Sequence, residues 1–148
     1  MSRYSAYRPR LVTDIDRTTS WYVDGLGCIR LFTLPGSSGP LLVHLRRWQF
    51  QDLLVHPASE PIRAGTGCSL NFAAVYDELD ELAARARVHG AGRVDGPADT
   101  PWNTRDLTSV DPDGNVVIFT AARPPDQADA AFNEQMHRWN DEQGITTG

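Results

Sequence analysis

The two halves of the sequence repeat one order of predicted elements, in which a strand, a helix and three further strands follow one another. The helix of the first half begins after Asp14 or Asp16, whose carboxylates can cap its first turn, and ends near Gly25. The strand patterns of this half lie at about 7–12, 28–34, 41–48 and 50–55. Chance alternation rarely yields a duplicated unit, so the repeat predicts two similar modules.

The second half follows the same order. Its helix covers about 77–90 and carries apolar side chains spaced for one face. We expect Gly96 and Pro97 to end the first strand after this helix, and 111–115 (DPDGN) to form a tight turn. The strand patterns lie at about 68–75, 93–95, 105–110 and 116–121.

Side chains alternate in character along residues 41–48, as they do in a half-buried strand. If one face of this strand packs on the helices, the other face lines an open surface. The face toward the helices would carry Leu41, Val43 and Leu45. The open face would carry Leu42, His44, Arg46 and Trp48.

The connection between the modules is rich in Pro, Gly and Ala over 57–67. We expect a single α+β domain made of module 1 at about 5–57, module 2 at about 67–122 and a C-terminal helix at about 126–143. In that helix, Phe132, Met136 and Trp139 recur at helical spacing. We expect this apolar stripe to pack on the domain or on a partner chain.

The composition disfavours several classes of partner. The chain of 148 residues has a net charge of −5, and its 14 basic residues, all of them Arg, form no stripe, so we expect no binding to nucleic acid. We expect no membrane span and no signal peptide, since no apolar run is long enough for either. The chain is therefore predicted to be cytoplasmic, with Cys28 and Cys68 reduced in the core.

Two ordered sets of short motifs resemble those of the glyoxalase/bleomycin-resistance, or vicinal-oxygen-chelate, superfamily. In module 1 the motifs are VTDID at 12–16, WY at 21–22 and LG at 26–27. In module 2 they are ELDEL at 78–82, GAG at 90–92, PWNTR at 101–105 and DPDGN at 111–115. The resemblance spans about residues 7–122, and the C-terminal helix lies outside it.

This resemblance implies two βαβββ modules that form a cupped mixed sheet, often in a dimer that exchanges modules between chains. The cup of such proteins holds either a divalent metal with its substrate or an organic ligand without metal. The family's metal ligands are His, Glu or Gln side chains, and a catalytic metal site needs about three of them. The corresponding positions here are Tyr7, Asn71 (or Leu70), Ile118 and the segment 54–56, which contains His56. We therefore expect no metal site and no other cofactor.

We predict instead that the cup binds a small organic ligand. Trp48 and Trp102 offer flat surfaces for stacking a planar molecule. Arg46, on the open face of its strand, and Arg105, expected with Trp102 in the loop before the seventh strand, can stack on it or bind an anionic group. The candidate ligand-binding residues are Tyr7, His44, Arg46, Trp48, Asn71, Trp102, Arg105 and Ile118. No residue is assigned a catalytic role.

Three functions are consistent with such a pocket. The one we favour is metal-independent binding and sequestration of an antibiotic, an aromatic or glycopeptide natural product, in a pocket of a homodimer. The second is a metal-independent tailoring enzyme of secondary metabolism, with acid or base groups from His44, Asp52, His56 or Tyr7. The third is a non-catalytic module whose cup or C-terminal helix binds another protein.

Overall fold

The computed structural model describes residues 8–12, 14–49, 51–58 and 69–144. In these ranges, two four-stranded mixed sheets and three α-helices form an α+β fold, which confirms the predicted fold class. Tyr7 and Cys68, for which the sequence makes predictions, lie outside the described residues. Within the described ranges, no helix is both long and apolar enough to cross a lipid bilayer.

Module 1 contains four strands and one helix. The helix α1 (Ile15–Ser20) begins at Asp14, whose carboxylate accepts a hydrogen bond of 3.0 Å from the backbone N–H of Arg17, and it continues as a π-helical turn over Trp21–Gly25. The strands pair in the order β1-β4-β3-β2 and form the first sheet, in which β1 is parallel to β4. These strands are β1 (Arg8–Val12), β2 (Ile29–Gly36), β3 (Gly39–Arg46) and β4 (Asp52–Pro57).

Module 2 has the same topology. A 3₁₀ turn over Tyr76–Glu78 leads into α2 (Leu79–His89), which ends at Gly90 in the left-handed region with a φ of 74°. The strands pair in the order β5-β8-β7-β6 and form the second sheet, in which β5 is parallel to β8. These strands are β5 (Leu70–Ala73), β6 (Arg93–Asp99), β7 (Thr104–Val110) and β8 (Val116–Ala122).

The helices lie between the two sheets. The helix α1 packs on β3 and β4, α2 packs on β6 and β7, and α2 also packs on the π-helical turn. Each sheet therefore turns one face toward the helices and the other face outward. The inner faces and the helices form one core, whose largest fully buried side chains include Trp21, Tyr22, Leu26, Leu45, Leu53, Leu79, Leu107 and Phe119.

The turn between β7 and β8 joins the two modules. Buried Asp111 accepts hydrogen bonds of 2.9 Å from the backbone N–H groups of Asp113 and Asn115, which closes the turn predicted at 111–115. The same carboxylate accepts a hydrogen bond of 2.9 Å from the hydroxyl of Tyr22 in module 1. The hydroxyl of Thr18 donates to Asp113 at 3.2 Å. Side chains of this turn therefore bind module 1 as well as shaping the hairpin.

The strand β6 is longer than its sequence pattern predicts. The prediction that Gly96 and Pro97 end it is wrong, because the strand continues to Asp99. Its register with β7 shifts between Asp95 and Ala98, so Gly96 and Pro97 lie in a bulge, after which the pairing resumes. Gly96 has a φ of 93°, which glycine adopts without the steric cost that a side chain would impose.

The C-terminal helix α3 (Ala130–Gln143) follows the second sheet. Asp129 caps its start by accepting hydrogen bonds from the backbone N–H groups of Ala131 and Phe132. The helix contains no buried residue in the single chain. The stripe predicted at Phe132, Met136 and Trp139 is therefore not packed into the core of its own chain.

Candidate ligand-binding site

The outward face of the first sheet is defined by the pairing of β3 with β4. Val43 and Leu45 point to the helices, and their register partners Val55 and Leu53 do the same; all four are buried. The alternating residues of both strands therefore point outward. These outward residues are Leu42, His44, Arg46, Asp52, Leu54 and His56.

A buried carboxylate organises this outward face. The side chain of Asp52 is entirely buried and accepts two hydrogen bonds from the guanidinium of Arg46, at 2.6 Å from Nε and 2.8 Å from Nη2. The Nε2 atom of His44 lies 3.0 Å from the same carboxylate. The hydrogen bond to Asp52 raises the pKa of Arg46. These contacts hold a cation and an imidazole in fixed positions on the sheet surface.

The contact between His44 and Asp52 also determines which atoms of His44 can bind a ligand. A carboxylate only accepts hydrogen bonds, so Nε2 of His44 carries the proton that points to Asp52. In a neutral imidazole the other nitrogen, Nδ1, then has a free lone pair. His44 can therefore accept a hydrogen bond or a proton from a bound molecule.

Large apolar side chains on β2 extend the same face. Ile29 pairs with Arg46, Phe32 with His44, and Leu34 with Leu42. They remain 60%, 51% and 42% exposed in the single chain. Apolar side chains grouped in this way on an open surface are typical of ligand or protein interfaces. The sequence analysis did not identify Phe32, because a register shift between Arg30 and Phe32 interrupts the alternation along β2.

The outward face of the second sheet is more polar. Asn71, Ile118 and Thr108 are neighbours across β5, β8 and β7, on the side opposite the buried Phe119. Beside them, the hydroxyl of Thr120 donates a hydrogen bond of 2.6 Å to Asp106. Two predicted site residues, Asn71 and Ile118, thus lie next to each other, while His44 and Arg46 lie together on the other sheet.

The remaining predicted site residues occupy other positions. The strand β3 ends at Arg46, and Trp48 lies in a turn closed by hydrogen bonds between 47 and 51, so the prediction that it continues the strand's outward face is wrong. The guanidinium of Arg47 covers the Trp48 ring at 5.4 Å. Trp102 is 55% exposed in the loop before β7. Tyr7 is outside the described residues.

Arg105 lies within β7, as the strand pattern at 105–110 predicts, and not in the preceding loop, where the prediction of the ligand site placed it. It contacts groups that precede or begin α2, with Nη2 3.3 Å from the Asp80 carboxylate and its guanidinium 5.6 Å from the centre of the Tyr76 ring. The hydrogen bond to Tyr76 is the main cause of the raised pKa of Arg105. Because it alternates with outward-facing Asp106, its side chain leaves the strand on the inner side.

The two outward faces point in opposite directions in one chain, because the helices fill the space between the sheets. A single chain therefore cannot use them as opposite walls of one cup. A cleft of about 190 Å³ does lie where the modules meet, lined by Gly27, Arg47, Glu78, Glu81, Leu82 and Arg85. Its volume is below the range of about 300–1,000 Å³ that is usual for drug-sized ligands.

Of the described side chains at the family's metal positions, His56 is the one good metal ligand. Ile118 has no donor atom, and Asn71 offers only a neutral amide. Asp52, the buried carboxylate of the first sheet, is already bound to Arg46 and His44. In the part of the chain that the structure describes, no three His, Cys, Asp or Glu side chains are grouped to hold a metal ion.

Comparison with solved structures identifies the fold family. The antibiotic-binding protein TnmS3 from Streptomyces sp. CB03234 is 26% identical, with a TM-score of 0.63 over 82% of this chain and 97% of TnmS3. A glyoxalase/bleomycin resistance protein from the same organism is also 26% identical, with a TM-score of 0.59 over 79% of this chain and 97% of that protein. TioX from Micromonospora sp. ML1 has the same fold at 24% identity and a TM-score of 0.62, over 81% of this chain and 99% of TioX.

Sequence comparisons alone do not reach this result. No protein-family model matches the chain, and no curated protein matches its sequence. The duplicated topology and the structural similarities to TnmS3 and the second Streptomyces protein instead confirm the resemblance that the ordered motifs carry. The chain belongs to the glyoxalase/bleomycin-resistance/dioxygenase superfamily.

Proposed function

We propose that two copies of this chain bind and sequester an antibiotic in the cytoplasm, without a metal ion. The ligand lies between the outward face of the first sheet of one copy and the outward face of the second sheet of the other. The observation that carries this proposal is the orientation of the two faces. Each face is suited to line a pocket, but the helices prevent both from lining the same pocket within one chain.

The properties of the two faces favour an aromatic natural product with polar substituents. Phe32 supplies an exposed ring for stacking, next to His44 and Arg46, which can bind polar groups of the ligand. The opposite wall supplies the amide of Asn71 and the carboxylate of Asp106. Glycosylated aromatic compounds and glycopeptides combine flat and hydrogen-bonding parts in this way. The net charge of −5 also favours cationic members of these classes.

The comparison with TnmS3 supports the same class of ligand. That protein is described as an antibiotic-binding protein, and it matches most of both chains at 26% identity. Fold similarity by itself does not determine function. We therefore base the choice of ligand class on the exposed aromatic and polar groups of the two faces together with this similarity.

Native mass spectrometry of the purified protein with an anthracycline and with a bleomycin tests the proposal. We expect a dimer that gains the intact mass of at least one of these drugs. The variant Phe32→Ala should weaken this binding by about tenfold or more, because it removes the exposed stacking surface. The matched control Val88→Ala removes an apolar side chain that is 89% exposed on α2 and should bind like the wild type. Equal binding by both variants would place the ligand elsewhere.

The alternative function is a metal-independent tailoring enzyme that uses the same faces. The contact between Asp52 and His44 favours it, because a carboxylate that orients an imidazole is a common arrangement for a general base. The same mass spectra distinguish the two functions. A drug that is released with a changed mass would identify an enzyme. His44→Gln should then abolish the change in mass, while the unreacted drug still binds because the glutamine amide keeps a hydrogen-bonding group at this position.

A further inference from the structure

The helix α3 presents an apolar face that the described part of its own chain covers only in part. Phe132, Met136 and Trp139 lie on one side of this 14-residue helix, and none of the helix residues is buried. Met136 is 38% exposed and Trp139 is 50% exposed. At 1.5 Å per residue the helix is about 21 Å long, so it can reach well beyond its point of attachment.

The start of α3 is held firmly at the end of the second sheet. The amide of Asn103, which precedes β7, donates hydrogen bonds of 2.8 Å to the backbone carbonyl of Asp129 and to the side chain of Asn133. Its carbonyl oxygen accepts a hydrogen bond of 2.7 Å from the backbone N–H of Asp129. Because Asn103 is itself buried, these bonds orient the helix as well as attaching it.

A second exposed apolar surface lies on the hairpin of β2 and β3. On its outward face Ile29, Phe32 and Leu34 are at least two-fifths exposed, and Leu31 and Leu41, which do not follow the alternation of that face, are exposed to a similar degree. This hairpin, Ile29–Arg46, contains no acidic residue; its Arg46 is paired with Asp52 of β4, so Arg30 is the cation that it offers to an acidic partner. The helix α3 contains three acidic side chains and one Arg, a net charge of −2. The two surfaces are thus both apolar and opposite in charge.

The β2–β3 hairpin of the same chain is not placed to receive α3. The helical layer separates the second sheet, to which α3 is attached, from the outward face of the first sheet. In the dimer of the proposed function, the second sheet of one copy faces the first sheet of the other. We expect the attachment point of α3, at Asn103 before β7, to lie near the partner's hairpin in that dimer.

We propose that α3 of each copy docks its Phe132–Met136–Trp139 face on the β2–β3 hairpin of a second copy. This inference rests on the dimer of the proposed function. The docked helix covers the end of the hairpin around Leu34 and Leu41 and closes one side of the ligand site, and the ring of Phe32 remains open to the ligand. It gives the segment outside the βαβββ repeat a role in both assembly and ligand retention.

Sedimentation equilibrium of the full-length chain tests the contribution of α3 to assembly. Trp139→Glu introduces a charge into the contact, and we expect the dimer dissociation constant to rise at least ~30-fold, as for a central aromatic contact residue. The control Arg138→Glu makes a larger change in charge at an exposed position about 100° around the helix from Trp139, and it should alter the constant only a few-fold. Equal effects of the two substitutions would contradict a specific contact.

Cross-linking tests which chain receives the helix. One sample carries Trp139→Cys, the other carries Leu34→Cys, and both also carry Cys68→Ser. Mild oxidation of the mixture should yield a covalent dimer that needs both samples. A chain that carries both new cysteines and closes a disulfide within itself would overturn the proposal, as would no disulfide in either experiment.

The outcomes separate this inference from the proposed function. A wild-type chain that is monomeric at micromolar concentration contradicts both. If Trp139→Glu leaves the dimer and drug binding unchanged while Phe32→Ala weakens drug binding, the role of α3 fails and the ligand site stands. Loss of dimerisation in Trp139→Glu together with the expected cross-link supports both.

Discussion

At the scale of single residues, Asp52 is the group on which the outward face of the first sheet depends most. We expect Asp52→Asn to lower the free energy of unfolding by about 1–3 kcal/mol, because it weakens a fully buried acceptor of hydrogen bonds from Arg46 and His44. Urea denaturation measures this loss. The control Asp106→Asn alters a partly buried carboxylate bound by Thr120 and should cost less. An equal loss of free energy of unfolding in both variants would mean that the burial of Asp52 does not strengthen its contribution to stability.

The thiol of Cys28 should be unreactive in the folded protein. Burial raises the pKa of this thiol from its ordinary value of 9.0 to about 12, although Arg47 and Arg85 oppose the rise. At pH 8 the thiol is therefore protonated and shielded, and peptide mapping after iodoacetamide treatment should find Cys28 alkylated only in unfolded protein. Rapid alkylation at native conditions would contradict this environment.

The same shift predicts a direction for alkaline stability. The folded pKa lies above the unfolded value, so the unfolded thiol ionises first as the pH rises. The contribution of Cys28 to stability is complete below about pH 9 and declines between about 9 and 12. A Cys28→Ala variant should lose less stability over that interval than the wild type.

Residue patterns alone were sufficient for some positions of the site and not for others. Alternation along β3 predicted that His44 and Arg46 share one face, because a regular strand obeys a period of two. The same argument failed for Trp48, since the strand ends at Arg46 and a local turn follows. It also missed Phe32, where a register shift in β2 breaks the period.

At the scale of elements, the turn at 111–115 should stabilise the contact between modules as well as its own hairpin. Tyr22→Phe removes a buried hydroxyl that donates to Asp111, and we expect the free energy of unfolding to fall by about 1–2 kcal/mol. Tyr76→Phe is the control, since that hydroxyl donates to Gln127 and interacts with Arg105 in an exposed position, where water can replace both partners. Thermal unfolding followed by circular dichroism compares the two, and a greater loss in Tyr76→Phe would contradict the account.

Most elements could be predicted from periodicity and from capping residues. Asp14 caps α1, and Gly90 ends α2, as short-range chemistry requires. The extent of β6 could not be predicted in this way, because pairing with β7 continues beyond the bulge at Gly96 and Pro97. Likewise, the spacing of apolar residues in α3 indicates a buried face but not what covers it.

At the scale of the whole molecule, the duplicated order of elements was enough to predict the fold class, and the ordered motifs were enough to predict the superfamily. Which faces can meet was not predictable from the same patterns. That property depends on long-range contacts such as the one between Tyr22 and Asp111, which hold the modules together through their helical sides. The consequence is that both outward faces need a partner.

The most direct test of the central claim, that one ligand contacts two copies, uses heterodimers. Phe32→Ala alters the first sheet and Ile118→Arg obstructs the second, so each homodimer of a single variant should bind an anthracycline or bleomycin poorly. The two variants are co-expressed with different tags and purified through both. In such a heterodimer, one site combines the two unaltered faces and the other combines the two altered ones.

Native mass spectrometry then counts bound drug molecules per dimer. We predict that the heterodimer binds about half as many drug molecules as the wild-type dimer, each with wild-type affinity, because one of its two sites is intact. If each site lay within one chain, every chain of the heterodimer would carry a damaged site. A heterodimer that binds no better than the variant homodimers would therefore contradict the account.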